Sequence, residues 1–286
     1  MEDKAKSFKQ CRRSDPELGK CLQGAVLDAF NKMRTAGIPS LGVLPLEPLV
    51  VNDIKIDPGA DGPVTLKLHF MNLKMHGIPD SNFIQYNADL NNAKLTTTAF
   101  TSKLWFEADY RADGKVLLLP VKGAGKCNVT LFQSYCCLNV IEFFPSSGEV
   151  LKKLRKGTVF SRCHSDLAYG TGGEVQGPFC FTIVYYIDLK TDAELKFKPE
   201  VKRGETFWII QSFKNKFNPK KVTVFFDGLL KGDRRLSTGI NKFLNDNWKI
   251  VFEELGPSFE ASFGAVFKEI THRVFSRVPV NKIFLN

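Results

Sequence analysis

The fold is decided by residues 237–278, which read STGINKFLNDNWKIVFEELGPSFEASFGAVFKEITHRVFSRV. Apolar residues recur there every three or four positions, and a helical period of about 3.6 residues collects such positions into one stripe. Charged residues fall mostly between them, on the opposite face. The stretch therefore predicts a long amphipathic helix whose apolar stripe contains Ile240, Phe243, Leu244, Trp248, Val251, Phe252, Leu255, Phe259, Phe263, Val266, Phe267, Ile270, Val274 and Phe275.

This helix is long for a chain of 286 residues. At about 1.5 Å per residue, roughly forty residues span about 60 Å, whereas a compact chain of this size has a radius of gyration of about 19 Å. Gly256 and Pro257 supply a bend, because proline removes one helical hydrogen bond and clashes with the preceding turn. We therefore predict a helix bent at Gly256-Pro257 and a long apolar surface that wraps it.

Composition indicates a globular chain, with 43% hydrophobic residues and no run of the roughly eighteen uninterrupted apolar residues that a membrane span needs. Residues 1–10, MEDKAKSFKQ, lack the apolar core of a signal peptide. Taken alone, these observations predict a soluble, cytosolic protein. The net charge of +10 predicts attraction to anionic surfaces. Many of the lysines alternate with apolar residues, which is typical of the solvated side of a sheet, so we expect no nucleic-acid partner.

Ahead of the long helix, the chain predicts one shorter helix and a series of strands. Residues 16–36 carry apolar positions every four residues and an N-terminal proline, which indicates the helix. Residues 37–49 contain three prolines and remain apolar, so we expect an extended segment against the core. In residues 64–76 the apolar alternation changes parity, which predicts a bulge near Phe70-Met71.

The remaining strand signals indicate an antiparallel sheet. A hairpin has arms at about 100–110 and 116–121 and a turn at Asp113-Gly114. A long half-exposed strand covers 183–197, and Arg203-Gly204 turns it into 206–213. After Asn218-Pro219, a strand at 222–226 leads through Asp227-Gly228 to the long helix. Several long strands bracketed by two helices predict an α+β domain.

Two other features stand apart. Residues 134–181 have no sustained hydrophobic period, and a loop of this length is unusual inside a compact domain.

Cys11 and Cys21 flank a short polar segment. A disulfide between them would contribute about 3 kcal/mol in an oxidising environment, and two free thiols are the alternative. The sequence leaves open the pairing of the other five cysteines: Cys127, Cys136, Cys137, Cys163 and Cys180.

Several separate motifs resemble, in order and spacing, the insect Takeout and juvenile hormone binding protein family. The resemblance covers roughly residues 8–132 and 182–286. The motifs are CRRSDPELGKC at 11–21, GIPSLG at 37–42, PLEPL at 45–49, LLPVKGAGKCNVT at 118–130, NDNWK at 245–249 and FSRVP at 275–279.

The resemblance implies a single domain over residues 8–286 with a single-lobed lipid-binding fold of the TULIP kind, in which a curved antiparallel sheet wraps the long C-terminal helix. It also implies a monomeric carrier, secreted into haemolymph and related to circadian and feeding proteins. Such a carrier binds an elongated ligand, such as juvenile hormone, another terpenoid, a fatty acid or a quinone-like lipid, in an apolar tunnel. A Cys11–Cys21 disulfide is implied as well.

Three departures from the family pattern bear on this expectation. Residues 1–10 do not resemble the family's signal peptide, so a processed form, an incomplete gene model and a retained intracellular variant stay open. Gly228 and Lys231 replace family asparagines, and residues 134–181 have no family counterpart. We interpret that segment as an atypical insertion that interrupts the domain, either a lineage insertion or a translated intron. Asn128, in Asn-Val-Thr, is a glycosylation acceptor if the chain is secreted.

Catalytic and metal sites are disfavoured. Gly125 and Lys126 invite a phosphate-loop interpretation, but Pro120 stands where that loop needs glycine and Cys127 where it needs serine or threonine. The chain has no Gly-x-Ser-x-Gly elbow and no helical pair of histidines with ligand spacing. A zinc site is a weak alternative for Cys136, Cys137, Cys163, His164 and Cys180. We therefore predict no catalytic residue, no metal, no cofactor and no enzymatic activity.

The leading prediction is a carrier for a small lipophilic ligand, and the alternative is a lipid-transfer protein that binds an anionic membrane surface. The two differ in the salt dependence of liposome binding. The predicted ligand-contacting residues are Phe70, Met71, Phe100, Leu104, Phe106, Tyr110 and Trp208 from the sheet and Phe243, Val251, Phe252, Leu255, Phe259, Phe263 and Phe267 from the helix.

Overall fold

The computed structural model describes residues 8–59, 61–132, 135–141, 180–186, 189–229 and 234–285. The chain divides into two units, Met1–Phe132 with Asp188–Asn286 and Gln133–Ile187. In chain order the elements are β1 (Cys11–Arg12), α1 (Leu18–Met33), β2 (Leu49–Ile56), β3 (Lys67–His76), β4 (Asn82–Asp89), β5 (Lys94–Thr101), β6 (Lys103–Val116), β7 (Leu119–Phe132), β8 (Tyr135–Ile141), β9 (Cys180–Tyr186), β10 (Leu189–Lys202), β11 (Glu205–Asn218), β12 (Lys221–Phe226), α2 (Arg234–Asp246), α3 (Trp248–Phe275) and β13 (Phe284–Leu285).

The first unit contains two antiparallel sheets around α3. One has the strand order β12-β7-β6-β3-β2 and the other β11-β10-β5-β4. Helix α3 packs against β11 and also against β2 and β12, the two outer strands of the five-stranded sheet. Because both edges of that sheet reach the same helix, the sheet curves around it. The predicted α+β fold, a curved sheet wrapped around a long C-terminal helix, is confirmed.

The second unit contains one antiparallel pair, in which Tyr135 of β8 lies opposite Tyr186 of β9. The predicted insertion at 134–181 falls mostly outside the described residues. The predicted strand at 183–197 corresponds to the end of β9 and the start of β10, and residues 187 and 188 between them are also outside the described residues.

The predicted single helix is two helices. The chain leaves helical geometry at Asn247, with φ −106° and ψ 21°, between α2 and α3. The Asn247 side-chain amide donates to the carbonyl of Phe243 at 2.9 Å, and such competition for backbone groups is why asparagine disfavours helix interiors. Pro257, where we expected the bend, lies inside α3. It is exposed, so the backbone carbonyl that loses its partner there faces solvent.

The hairpin turn also differs from the prediction. Strands β6 and β7 are joined at Leu117-Leu118, and Asp113 and Gly114 lie within β6. Gly114 has φ 146°, and a side chain there would approach the carbonyl oxygen of Thr65 to 2.3 Å. This glycine therefore serves the close approach of two backbone segments and does not form the turn.

Other local predictions are confirmed. The register of β3 against β6 shifts between Met71 and Lys74, with Asn72 at φ 53°, so the inward set passes from Phe70 to Leu73 through a bulge. Arg203 and Gly204 both have positive φ and form the tight turn between β10 and β11. Strands β1, β2, β4, β8 and β13 were not predicted, and the predicted arm at 100–110 runs from the end of β5 into β6. Among the described helices, none has the length and apolar character needed to cross a membrane.

Candidate ligand cavity

An apolar cavity lies between the five-stranded sheet and the two C-terminal helices. Its volume is about 60 Å³. Seventeen side chains line it, and all of them are aliphatic or aromatic. They are Leu66, Leu68, Met75, Phe106, Val129, Leu131, Phe217, Val222, Val224, Phe226, Leu244, Trp248, Val251, Phe252, Leu255, Phe259 and Phe263.

The sheet side of the cavity follows from strand alternation. In the register of the sheet, Phe106 of β6 lies opposite Val129 of β7, and Val129 lies opposite Val224 of β12. One row of apolar side chains thus crosses three strands, since every second residue of a strand points to the same face. Two residues further along β7, Leu131 lies opposite Val222 and repeats the pattern.

The helix side is a ladder of phenylalanine rings on α3. Phe259 and Phe263 stack with ring centroids 6.1 Å apart, and Phe263 and Phe267 stack at 6.4 Å. Because residues four apart lie on one helix face, these rings form a continuous strip. Phe106 meets the strip from the sheet, 6.2 Å from both Phe259 and Phe263.

Asparagines hold α2 on the outer strand of the sheet. Asn241 accepts a hydrogen bond from the N–H of Phe226 at 2.8 Å and donates to its carbonyl at 2.8 Å. One helical turn later, Asn245 makes the same pair of bonds with Val224, at 2.9 and 2.8 Å. The side chains thereby replace a missing strand partner of β12. They also position Leu244 over the cavity.

Tyr110 and Cys127, just outside the cavity wall, carry no charge at neutral pH. The Tyr110 hydroxyl donates to the carbonyl of Asp227 at 2.7 Å, and burial raises the pKa of Tyr110. Burial likewise raises the pKa of the Cys127 thiol to about 12. Among the described residues, the cavity is therefore lined by groups that bind through burial of apolar surface, and its wall offers no ionisable side chain.

The predicted ligand residues fall into three groups. Six line the cavity: Phe106, Val251, Phe252, Leu255, Phe259 and Phe263. Five belong to the same hydrophobic core without being among the lining side chains: Phe70, Leu104, Tyr110, Phe243 and Phe267. Trp208 lies in a separate core, and Met71 and Phe100 are half-buried strand residues away from the lining set. Contact of these residues with a ligand stays a prediction.

Sequence analysis missed much of the sheet wall as ligand-contacting. The alternation of 64–68 indicated an inward face and residues 222–226 were predicted as a strand, but neither pattern indicated which side chains would meet α3. The residues missed from the cavity wall are Leu66, Leu68, Met75, Val129, Leu131, Phe217, Val222, Val224, Phe226, Leu244 and Trp248.

Two further predicted sites have defined places. Cys11 and Cys21 form the predicted disulfide, which ties the N-terminal strand to α1. Asn128 is half-buried on β7, opposite the exposed Phe225, and its Oδ1 accepts a hydrogen bond from Thr130 at 3.2 Å. Gly228, one of the departures from the family pattern, has φ 73° in the turn after β12; Lys231 lies outside the described residues.

The sequence model described as haemolymph juvenile hormone binding protein matches residues 1–139 and 176–285. The chain belongs to this family. The resemblance inferred from the motifs is thereby confirmed, and membership places the chain among carriers of lipophilic ligands. The matched segments include every lining residue of the cavity.

Two known proteins are similar to this chain. The circadian clock-controlled protein daywake of Drosophila melanogaster is 27% identical over 130 residues, which are 43% of this chain and 48% of daywake, so the chain matches about half the length of that relative. The crystal structure of Epiphyas postvittana Takeout 1 superposes with a TM-score of 0.67 and 19% identity over 97% of this chain and all of that one. This second likeness shows a shared fold.

Proposed function

We propose that this protein is a secreted, non-enzymatic carrier that holds one elongated hydrophobic molecule between α3 and the five-stranded sheet. The observation that carries the proposal is the cavity wall of seventeen aliphatic and aromatic side chains. Such a wall favours hydrocarbon and supplies no nucleophile or general base for chemistry. The ligand class is a terpenoid such as juvenile hormone, a fatty acid or a quinone-like lipid, and the carrier acts as a monomer.

Burial alone supplies enough free energy for binding. A chain of about sixteen methylenes contributes roughly 13 kcal/mol at about 0.8 kcal/mol each. The lower estimates of the cost of association are about 4 kcal/mol, so a net value of roughly 8 to 9 kcal/mol corresponds to micromolar affinity or tighter. Specific polar contacts are therefore unnecessary for affinity.

Binding requires the cavity to expand. Pockets that bury a small-molecule ligand usually measure about 300–1,000 Å³, whereas this one has about 60 Å³. Trp248, Val251, Phe252 and Phe259 are half-buried members of its wall. Because these side chains are partly exposed, we propose that they move when a ligand enters.

Secretion is supported by the Cys11–Cys21 disulfide and by the family, since disulfides persist in oxidising compartments. The test of the carrier function is organic extraction and mass spectrometry of protein purified from an insect-cell secretory system. We expect one lipid per chain that the extraction removes and that a fluorescent lipid probe replaces. Protein that carries no lipid and binds no probe would refute the carrier function.

A membrane-surface role is the second candidate, favoured by the two hairpin tips. Leu118, between β6 and β7, is 94% exposed and has Lys115 and Lys122 nearby in sequence. Val201, before the β10–β11 turn, is 70% exposed and precedes Lys202 and Arg203. Exposed apolar residues beside cations suit an anionic bilayer. Salt-sensitive sedimentation with phosphatidylserine vesicles that Leu118→Ser weakens would support this role, and equal sedimentation of both proteins would exclude it for the β6–β7 tip.

A further inference from the structure

Asn215 of β11 is a buried asparagine whose side-chain amide lacks a partner within the part of the chain that the structure describes. The residue is 7% exposed, and neither its Oδ1 nor its Nδ2 makes a hydrogen bond. Leaving a buried amide unpaired is costly, so most buried polar groups in proteins are paired with protein or with a molecule from outside the chain. We therefore expect the Asn215 amide to form hydrogen bonds with a molecule from outside the chain.

The neighbours that pack against the amide are small and apolar. Across the sheet, Asn215 lies opposite Ala193 of β10. On the other side, α3 crosses β11 at Gly264, where an added Cβ would lie 3.1 Å from the Asn215 Oδ1 and 2.7 Å from the carbonyl oxygen of Phe213. Neither Ala193 nor Gly264 has a polar side chain that could pair with the amide.

The amide lies directly behind the cavity wall. Phe217 is two residues further along the same face of β11, a step of about 7 Å, and Phe263 immediately precedes Gly264 on α3. Both phenylalanines line the cavity, and their rings meet edge to face with centroids 6.3 Å apart. Rotation of this ring pair would connect the apolar cavity with the unpaired amide.

We infer that Asn215 receives the oxygen-bearing end of the lipid whose hydrocarbon part fills the cavity. This inference rests on the proposed carrier function. Nδ2 donates to a carbonyl, ether or hydroxyl oxygen, and Oδ1 accepts from a hydroxyl. The site thus selects a neutral oxygenated lipid, such as a long-chain alcohol, ketone or ester, over a hydrocarbon of the same length.

An ionised fatty acid is the disfavoured ligand at this end. The Glu260 side chain accepts a hydrogen bond from the N–H of Phe217 at 2.9 Å, which places a carboxylate beside the ring pair. A second carboxylate in this poorly hydrated region would be repelled. Asn215 and Glu260 together therefore define the polar end of the ligand as uncharged.

The test is competition for the neutral probe N-phenyl-1-naphthylamine by dodecan-1-ol and by 1-tridecene, which has the same number of heavy atoms and no oxygen. We expect the native protein to bind the alcohol about tenfold more tightly, the range of one neutral hydrogen bond, and dodecanoate more weakly than the alcohol. Asn215→Leu should bring the alcohol-to-alkene ratio close to one. The control Asn218→Leu, on the same strand, should keep the native ratio.

A second pair of variants separates hydrogen bonding from packing. Thr and Val have nearly the same shape, so Asn215→Thr should retain part of the preference for the alcohol and Asn215→Val should lose it, even if Asn215→Leu fails to fold. An unchanged ratio in folded Asn215→Val would overturn the inference, while the carrier function would stand. Absence of probe binding to the native protein would refute the carrier function and this inference with it.

Discussion

The two ends of α3 pack against cores of different character. Near its C-terminal end, Phe275 stacks on Trp208 at 5.5 Å, and Trp208 also stacks on Phe197 at 3.8 Å and contacts Phe284 at 5.1 Å. We call this core, with the Cys11–Cys21 disulfide beside it, the Trp208 cluster. The N-terminal half of α3 instead borders the cavity.

The difference teaches how one helix serves two purposes. Close ring stacking and a covalent crosslink stabilise the Trp208 cluster. The wall around the cavity contains half-buried side chains, such as Phe252. Stability and binding therefore depend on different segments of the same helix.

The largest expected effect is on the Trp208 cluster. Trp208→Ala removes a 5%-exposed indole at the centre of three ring contacts and should lower the free energy of unfolding by about 3–5 kcal/mol. Phe252→Ala, on the half-buried cavity wall, should cost about half as much, because fewer contacts are lost. Urea unfolding of the two variants measures the difference. Equal losses would show that the two cores are packed alike.

Removal of the disulfide should separate stability from binding. Cys11→Ser with Cys21→Ser opens a loop with a sequence separation of 10 and should lower the free energy of unfolding by about 3 kcal/mol. Binding of N-phenyl-1-naphthylamine at 15 °C should be unchanged, because neither cysteine lines the cavity. A parallel loss of probe affinity in the folded variant would contradict the assignment of binding to the other half of α3.

The asparagines of α2 should have an intermediate effect. Asn241→Ala leaves the N–H and carbonyl of Phe226 without their side-chain partner and should cost about 1–3 kcal/mol. Asn247→Ala is the control, because the Asn247 side chain bonds only the Phe243 carbonyl among the described contacts. This variant should lower the free energy of unfolding by less than Asn241→Ala. Hydrogen exchange at Phe226 should accelerate in the first variant alone, and the same rate in both would refute the role of Asn241 as a strand partner.

The smallest effect concerns pH. The pKa of Cys127 is raised from 9.0 to about 12 by burial, so its contribution to stability is present below pH 9 and is lost as the pH rises towards 12, because the unfolded thiol ionises first. Between pH 9 and pH 10 the native protein should lose about 1 kcal/mol more than Cys127→Ala. Urea midpoints of the two proteins at pH 9 and pH 10 measure this difference. An equal loss of stability in both proteins would show that the thiol ionises as readily in the folded protein as in the unfolded one.

Sequence reasoning recovered the features set by local chemistry. The four-residue spacing before Ala36 gave α1, the parity change at Phe70 gave the bulge, and Arg203-Gly204 gave a tight turn. The motifs also sufficed to identify the family. Each of these depends on neighbours in sequence or on a conserved order of short segments.

The features that it missed depend on distant partners. Gly114 resembles a turn residue until Thr65 is placed against it, and the turn falls at Leu117-Leu118 instead. Val129 becomes part of the cavity wall because it pairs with Phe106 on one side and Val224 on the other. The helix break at Asn247 could have been predicted, because asparagines at 245 and 247 weaken a helix. Pro257 was the stronger local signal, and the bend was therefore predicted there.

The most direct test of the account is probe binding to a cavity-filling variant. Val251→Trp places an indole in the half-buried wall of the cavity, whereas Val201→Trp makes the same change at a position that is 70% exposed in β10. The account predicts that Val251→Trp weakens binding of N-phenyl-1-naphthylamine by at least about tenfold and that Val201→Trp leaves it unchanged. Native affinity in a folded Val251→Trp protein would contradict the claim that the ligand lies between α3 and the five-stranded sheet.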